Sequence, residues 1–109
     1  MQEDVFILLS NFPGAETARK AVRILVEERL IACGNLIPGV ESIYEWKGEM
    51  ETTHEVMVVA KTTASRADEA MARLRALHPY EVPEILLLPL TTGWPAYLEW
   101  VAAQVSPRS

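Results

Sequence analysis

Cysteine is scarce in this chain, and its scarcity bears on covalent structure and compartment. Cys33 is the only cysteine among 109 residues, so no disulfide can form within the chain. A protein without disulfides suits a reducing compartment. The first residues also lack the basic cluster and the long apolar run of an export signal. We therefore expect a cytoplasmic protein.

Basic residues are few, and they form no continuous stripe. The chain has 10 Lys and Arg against 15 Asp and Glu, which gives a formal net charge of -5 at pH 7. Nucleic-acid binding requires clustered positive charge that neutralises phosphates, so nucleic acid is a poor candidate partner. Apolar runs such as residues 5–9 are too short to span a bilayer, so we expect no membrane insertion.

Sequence motifs of catalysis are absent. No Ser/His/Asp or Cys/His arrangement can be argued from spacing, and no glycine-rich phosphate loop occurs. The small acylphosphatases share the fold predicted below, but their arginine-containing phosphate loop has no counterpart after residues 5–9. The sequence therefore predicts a protein that is not an enzyme.

Hydrophobic residues are plentiful, and their spacing predicts the fold. They make up 50% of the chain, enough for a packed core in one domain covering residues 1–109. The pattern predicts a strand at 5–9 and a helix at 15–30. Two long strands follow within 32–62, with a bulge or bend at Pro38-Gly39 and a hairpin turn at Lys47-Gly48. The remaining elements are a helix from an N-cap at Ser65 to Leu77, a strand at 85–90 and a helix from Pro95 to about Val105. This order is typical of an α+β, ferredoxin-like split βαβ sandwich with an extra C-terminal helix.

Two predicted strands are apolar at every position, namely residues 5–9 and 85–88. Right-handed crossovers place both main helices on one face of the sheet, which leaves the other face without a cover from this chain. Tyr97 and Trp100 give the last helix more apolar surface than it needs to pack against its own sheet. We therefore predict self-association, with a monomer bearing an unusually apolar sheet as the alternative.

Potential metal donors other than carboxylates are limited to Cys33, His54 and His78. No CxxC or HxxxH spacing occurs, so a metal site would be weak or shared between subunits. The ordinary interpretation of Cys33 is a buried, inert thiol. His78 has two equally weighted interpretations: a cationic side chain that complements the dipole at the end of a helix, or a metal ligand. His54 belongs to an acidic hairpin that we interpret as a solvated tip with, at most, weak attraction for cations.

The segment from His78 to Glu84 combines an imidazole, a phenol and two carboxylates with two stiffening prolines. Lys61 lies in an otherwise apolar strand, where an ammonium requires a partner such as Glu55 or Glu84. A ligand cleft at a boundary between subunits, formed by Lys61, His78, Tyr80, Glu84 and Glu55, is one interpretation. A purely structural ion pair is the other.

Several separate motifs resemble one known family. Ala32-Cys33-Gly34-Asn35, Pro38-Gly39-Val40 and Ser42-Ile43-Tyr44 with Trp46 and Gly48 are similar to the central signature of the CutA family. Further similarities are Lys61-Thr62-Thr63, His78-Pro79-Tyr80, Val82-Pro83-Glu84, and Tyr97 with Trp100. Together the motifs extend from about Val5 to Val101.

The resemblance implies a homotrimer of ferredoxin-like subunits and tolerance of divalent metals, copper above all, with no metal required for folding. We expect Tyr44, Trp46, Tyr97 and Trp100 at the trimer interface. Some members are thought to bind copper through a Cys after the first strand and a His pair before Pro-Tyr. Here these positions hold Ser10 and Leu77-His78, so His78 is retained and Cys33 remains as a soft ligand for Cu(I).

Two functions follow from the residues and the resemblance. The first is a trimeric, cytoplasmic protein that binds copper or another divalent cation weakly and takes part in the response to metal ions. The alternative is a signalling or scaffold module similar to the PII proteins, which binds a small ligand or a partner protein in clefts between subunits.

Overall fold

A four-stranded antiparallel sheet is the centre of the computed structural model, which describes residues 3–107. The elements in chain order are β1 (Val5–Phe12), α1 (Ala15–Glu27), β2 (Cys33–Trp46), β3 (Glu49–Thr63), α2 (Ala64–Leu77), β4 (Ile85–Pro89) and α3 (Pro95–Gln104). The strand order across the sheet is β2-β3-β1-β4. The predicted element order and the ferredoxin-like topology are therefore confirmed. No helix within residues 3–107 is long and apolar enough to cross a membrane.

The main core lies between one face of the sheet and the helices α1 and α2. Strand residues alternate between faces, and Leu8 and Phe12 of β1 are fully buried on the helix-covered face. The helices contribute residues at helical spacing. Other members of this core are Ala18, Ala21, Val22, Leu25, Val56, Val58, Ala60, Ala70 and Leu74.

Three element boundaries differ from the predictions. β1 extends to Phe12, because Asn11 and Phe12 pair with Met57 and Val56 of β3, and this pairing outweighs the low strand preference of Asn. α1 ends at Glu27 because Arg29 adopts the left-handed conformation with φ 59°. The prediction of Ser65 as the N-cap of α2 was wrong.

Thr63 is the N-cap of α2, and the helix begins at Ala64. Ser65 is held instead by Glu3, whose carboxylate accepts hydrogen bonds from the Ser65 backbone N–H at 2.8 Å and from its hydroxyl at 2.9 Å. A residue far away in sequence thus supplies the acceptor for an N–H group that the helix cannot pair itself.

The β2–β3 hairpin extends beyond the core, and its outer part, residues 40–55, is called the arm. The bend predicted at Pro38-Gly39 is present as a β-bulge, since the register shifts between Ile37 and Val40 and Gly39 has φ 75°. Lys47 and Gly48 form the turn with φ 52° and 81°, which suits the twist of a two-residue hairpin. The hairpin makes the molecule elongated, with extents of 49 × 27 × 21 Å.

The sheet face that α1 and α2 do not cover is called the far face. α3 packs on one end of it, where Val101 and Val105 contact Val5 and Ala32. The expectation that this chain leaves the face wholly uncovered was therefore wrong at that end. Elsewhere large apolar residues stay accessible, with Leu86 50% and Leu88 43% exposed.

Candidate functional site

His78 immediately follows α2 and is buried, with 6% of its surface exposed. Its ring stacks on Phe12 at a centroid distance of 4.2 Å. Nε2 donates to the backbone oxygen of Asn11 at 2.8 Å, and Nδ1 accepts the Tyr80 backbone N–H at 3.2 Å. Both ring nitrogens are thus used in hydrogen bonds that a neutral imidazole can make.

Burial lowers the pKa of His78 below its usual value, and the hydrogen bond to Asn11 opposes this only in part. A neutral ring gains little from the dipole of α2, so the ring's role is to fix the start of the following loop. A metal ion would need a free nitrogen lone pair. It would therefore have to displace the Tyr80 N–H from Nδ1.

Tyr80 connects this loop to the base of the arm. Its hydroxyl donates to Glu55 Oε2 at 2.7 Å. Burial, with the hydrogen bond to Glu55 as the second cause, raises the pKa of Tyr80 to about 12. Tyr80 also lies beside His78, with ring centroids 5.0 Å apart. The structure therefore brings three predicted site residues together: Glu55, His78 and Tyr80.

Lys61 lies apart from that group within one chain. The Lys61 ammonium donates to Asn35 Oδ1, so its partner is an amide and not the expected carboxylate. Six positions of β3 separate Lys61 from Glu55, a span of roughly 20 Å along a strand. Glu84 is exposed and, among residues 3–107, forms no salt bridge. A cleft that joins Lys61 to Glu55 and Tyr80 would need more than one chain and stays a prediction.

Cys33 lies on the far face, directly across from Lys61 in the β2–β3 register. It is partly exposed and not fully buried as first interpreted. Its Sγ lies 3.5 Å from the Tyr97 hydroxyl. The hydrogen bond with Cys33, together with burial, raises the pKa of Tyr97 to about 12. Tyr97 in turn stacks with Trp100 at 5.7 Å.

Ser10 lies on the opposite side of the sheet from Cys33, because Cys33 aligns with Ile7 through Lys61 and side chains alternate along β1. Ser10 is fully buried, and its hydroxyl has no hydrogen-bond partner among the residues that the structure describes. Within residues 3–107, no group of three or more His, Cys, Asp or Glu side chains is placed to hold a metal ion. Ser10, Cys33 and His78 do not form one site in a single chain.

The predicted interface residues are accessible in the isolated chain. Tyr44 and Trp46 of the arm are exposed, as are Tyr97 and Trp100 of α3. His54 forms an exposed pair with Glu41, with Nε2 and Oε2 3.6 Å apart. The arm tip is exposed in one chain, which is consistent with its interpretation as solvated.

The sequence interpretation missed Asn11 and Asn35 as functional neighbours. The backbone oxygen of Asn11 holds His78, and within residues 3–107 its own buried Oδ1 has no hydrogen-bond partner. Asn35 supplies the acceptor for Lys61. For Asn11 the available signal was a buried amide inside an apolar strand, because buried polar groups usually have a specific partner.

An open groove of about 470 Å³ lies on the outer side of the same loop. α2 contributes Asp68, Met71, Ala72 and Arg75 to its lining, and the loop and β4 contribute Glu81, Val82, Pro83 and Ile85. Lys61 and Tyr80 are not among these residues, so this groove is separate from the predicted ligand cleft.

These features define a class: an α+β ferredoxin-like protein with a protruding β2–β3 arm and a partly uncovered apolar sheet face. Residues 6–104 match the family described as CutA1 divalent ion tolerance protein. The chain belongs to this family, so the resemblance found in the sequence is confirmed.

Individual relatives agree with this assignment. The divalent-cation tolerance protein CutA of Thermus thermophilus is 44% identical over 95 residues, covering 87% of this chain and 92% of that protein. The mouse Protein CutA is 46% identical to this chain over 89 residues, which cover 82% of this chain and 50% of the mouse protein. The crystal structure of CutA from Xylella fastidiosa has a TM-score of 0.92 and 40% identity, covering 94% of this chain and 99% of that one.

Proposed function

We propose that this protein provides tolerance of divalent cations, with copper as the first metal to test. The observation that carries the proposal is the family match over residues 6–104. The Thermus relative bears the name divalent-cation tolerance protein, which favours this function over the PII-like alternative. The relatives are named as tolerance proteins and not as enzymes, so we propose a binding role without catalysis.

A homotrimer is the second part of the proposal. The far face supports it, because Leu86 and Leu88 are about half exposed although they are large and apolar. Tyr97 and Trp100 of α3 add further accessible aromatic surface. Accessible apolar surface of this kind marks association sites in soluble proteins. The single cysteine supports a cytoplasmic location.

Metal binding within one chain is expected to be weak, because the donors do not converge. His78 has both nitrogens occupied by hydrogen bonds, and the Ser10 hydroxyl is a poor ligand for copper. Cys33 is accessible enough to act as a soft ligand. Copper would therefore be held through Cys33, with donors from a second subunit.

Calorimetric titration of the purified protein with Cu(I) and Cu(II) tests metal binding. We expect weak binding that Cys33→Ala abolishes. Ser10→Cys combined with Leu77→His should tighten binding by about tenfold or more by adding a thiolate and an imidazole beside His78. Tight binding that survives Cys33→Ala and His78→Ala would contradict this placement and point to the acidic arm.

Growth in copper tests the cellular role. Cells that lack the gene should stop growing at a lower copper concentration than cells that carry it, and the intact gene should restore growth. Equal copper sensitivity of the two strains, repeated with other divalent metals, would contradict the tolerance proposal.

A further inference from the structure

α3 is held on the far face by few apolar contacts. Within residues 3–107, Val101 is the only buried residue of this helix, and Val105 at its C-cap is buried as well. Residues 91–93, which precede it, are exposed and belong to no helix or strand. An element with so little buried apolar surface opens at a lower free energy than the core of the same protein. Its polar contacts therefore decide how firmly α3 is held.

Two arginines from other elements bond to three consecutive backbone carbonyl groups at the C-terminal end of α3. Arg29 Nη1 donates to the oxygen of Gln104 at 2.9 Å and to that of Ser106 at 3.2 Å. Arg66 Nε donates to the oxygen of Val105 at 2.9 Å. The last carbonyls of a helix lack intrahelical partners and carry partial negative charge, so cationic donors bind there favourably. The two arginine side chains are called the clamp.

The backbone at Arg29 indicates that its side chain has a specific role. Arg29 lies two residues after the end of α1 and has φ 59°, a conformation that glycine adopts without steric cost. Another residue remains in this conformation only where its surroundings offset the strain. Among the described residues, the hydrogen bonds of the Arg29 side chain all go to the C-terminal end of α3. The clamp therefore accounts for an arginine at a position that favours glycine.

Cys33 lies beside the same helix. Its Sγ is 3.5 Å from the Tyr97 hydroxyl, and the preceding residue, Ala32, packs with Val101 and Val105. Movement of α3 away from the sheet would take all three of these helix-side contacts with it. The accessibility of the Cys33 thiol thus reports whether α3 is in place.

We propose that α3 is a hinged cover that Arg29 and Arg66 hold closed, and that its release uncovers the end of the far face that contains Cys33. Residues 91–93 are the hinge, because they can change conformation without breaking a helix or a strand. Arg29 and Arg66 are positioning residues for the cover, and the opening takes place within one subunit. This device does not depend on copper binding, because it concerns the accessibility of the thiol and not its ligand.

Alkylation of Cys33 by iodoacetamide, without added metal, measures the opening. The rate in the native protein is divided by the rate in the denaturant-unfolded protein, so that the intrinsic reactivity of the thiol cancels. Arg66→Met and Arg29→Gly should each raise this ratio by about fivefold or more, because each removes charge-assisted hydrogen bonds to α3. Arg29→Gly also relieves the positive φ, so backbone strain cannot explain its effect. Arg66→Lys retains a cationic donor and should give a smaller increase than Arg66→Met.

Arg73→Met is the matched control. Arg66 forms a salt bridge with Glu69 at 3.2 Å in addition to its bond to α3, so its substitution also removes a surface ion pair. Arg73 forms a salt bridge with Glu28 at 2.8 Å and has no hydrogen bond to α3 among the described residues. Its substitution should therefore leave the alkylation ratio unchanged. An increase as large as that of Arg66→Met would overturn the role of the clamp.

Hydrogen exchange read by mass spectrometry gives an independent test that needs no variant. In the parent protein the backbone amides of residues 98–105 should exchange faster than those of β1 and β3, and the clamp variants should widen this difference. Equal exchange of α3 and the two strands overturns the proposal, because α3 then opens only with the whole subunit. Alkylation or exchange that stays unchanged in both clamp variants also overturns it. So does an increase in alkylation that disappears at higher protein concentration, because dissociation of subunits would then expose the thiol.

Discussion

At the scale of single residues, polar groups at the end of α2 hold the following loop in place. His78 bonds to Asn11 through Nε2 and to Tyr80 through Nδ1, and Tyr80 bonds to Glu55. The chain of contacts joins β1, the loop after α2 and the base of the arm. Its members are only partly accessible, so each hydrogen bond is less exposed to competition from water.

We expect His78 to make stability depend on pH. Its pKa is lowered in the folded protein from the ordinary histidine value of about 6.5, so well above that pH the ring is neutral in both states and the protein keeps its full stability. As the pH falls below 6.5, the unfolded state takes up the proton first. The free energy of unfolding should then decrease, by at most about 1.4 kcal/mol per pH unit, until the folded-state pKa is passed.

Thermal unfolding at fixed subunit concentration between pH 7.5 and 5.5 measures this effect. His78→Gln should flatten the dependence, and substitution of the exposed His54 by Gln is the matched control. Glu55 and Arg75 act on His78 with opposite signs, so the same experiment at high salt isolates the contribution of burial. An unchanged pH profile in His78→Gln would contradict the assignment.

Tyr80→Phe should destabilise the protein by about 1 kcal/mol, because it removes a hydrogen bond to a carboxylate at a partly accessible site. A double-mutant cycle with Glu55→Gln measures the coupling directly. We expect the two changes to be non-additive, with the double variant little worse than either single one. Additive effects in urea unfolding would show that the contact contributes nothing.

At the scale of elements, α3 determines how much of the far face remains accessible. Val101 and Val105 bury one end of that face, while Tyr97 and Trp100 stay accessible on the same helix. The helix thus packs on its own sheet with one side and presents aromatic side chains with another. One side of α3 therefore covers part of the sheet of its own subunit, and the other side is available for association with another subunit.

Trp100→Ala should weaken stability or assembly more than Trp94→Ala. Trp100 is 42% exposed and stacks on Tyr97, an arrangement worth about 1 kcal/mol beyond burial. Trp94 is 76% exposed and precedes α3, so its removal should cost less than about 0.5 kcal/mol. Melting temperature and light scattering on both variants decide this, and equal effects would count against the placement of Trp100.

At the scale of the whole molecule, we expect a stable trimer with three times the chain mass of 12.2 kDa. The physical reason is the accessible apolar sheet face, where Leu86 and Leu88 would otherwise remain in water. Gel filtration coupled to light scattering at micromolar concentration measures the mass. A monomer under those conditions would remove the basis of the trimer.

Much of the fold was predictable from local pattern. The order of elements followed from hydrophobic periodicity, and the bulge and turn followed from Gly39 and Gly48, whose positive φ values favour glycine. The group of Glu55, His78 and Tyr80 was predicted only as part of a larger set. The separation of Lys61 from this group could not be foreseen, because sequence spacing does not reveal which end of the long strand β3 meets the loop after α2.

The sequence by itself determined the topology class, the lone thiol and the family, because these depend on residue types and on the short periods of strands and helices. The tertiary structure alone decided which polar groups meet. It placed Asn11 against His78, Asn35 against Lys61 and Glu3 against Ser65. Such pairs join residues distant in the chain, and their geometry is set by the register of the sheet and the packing of helices on it.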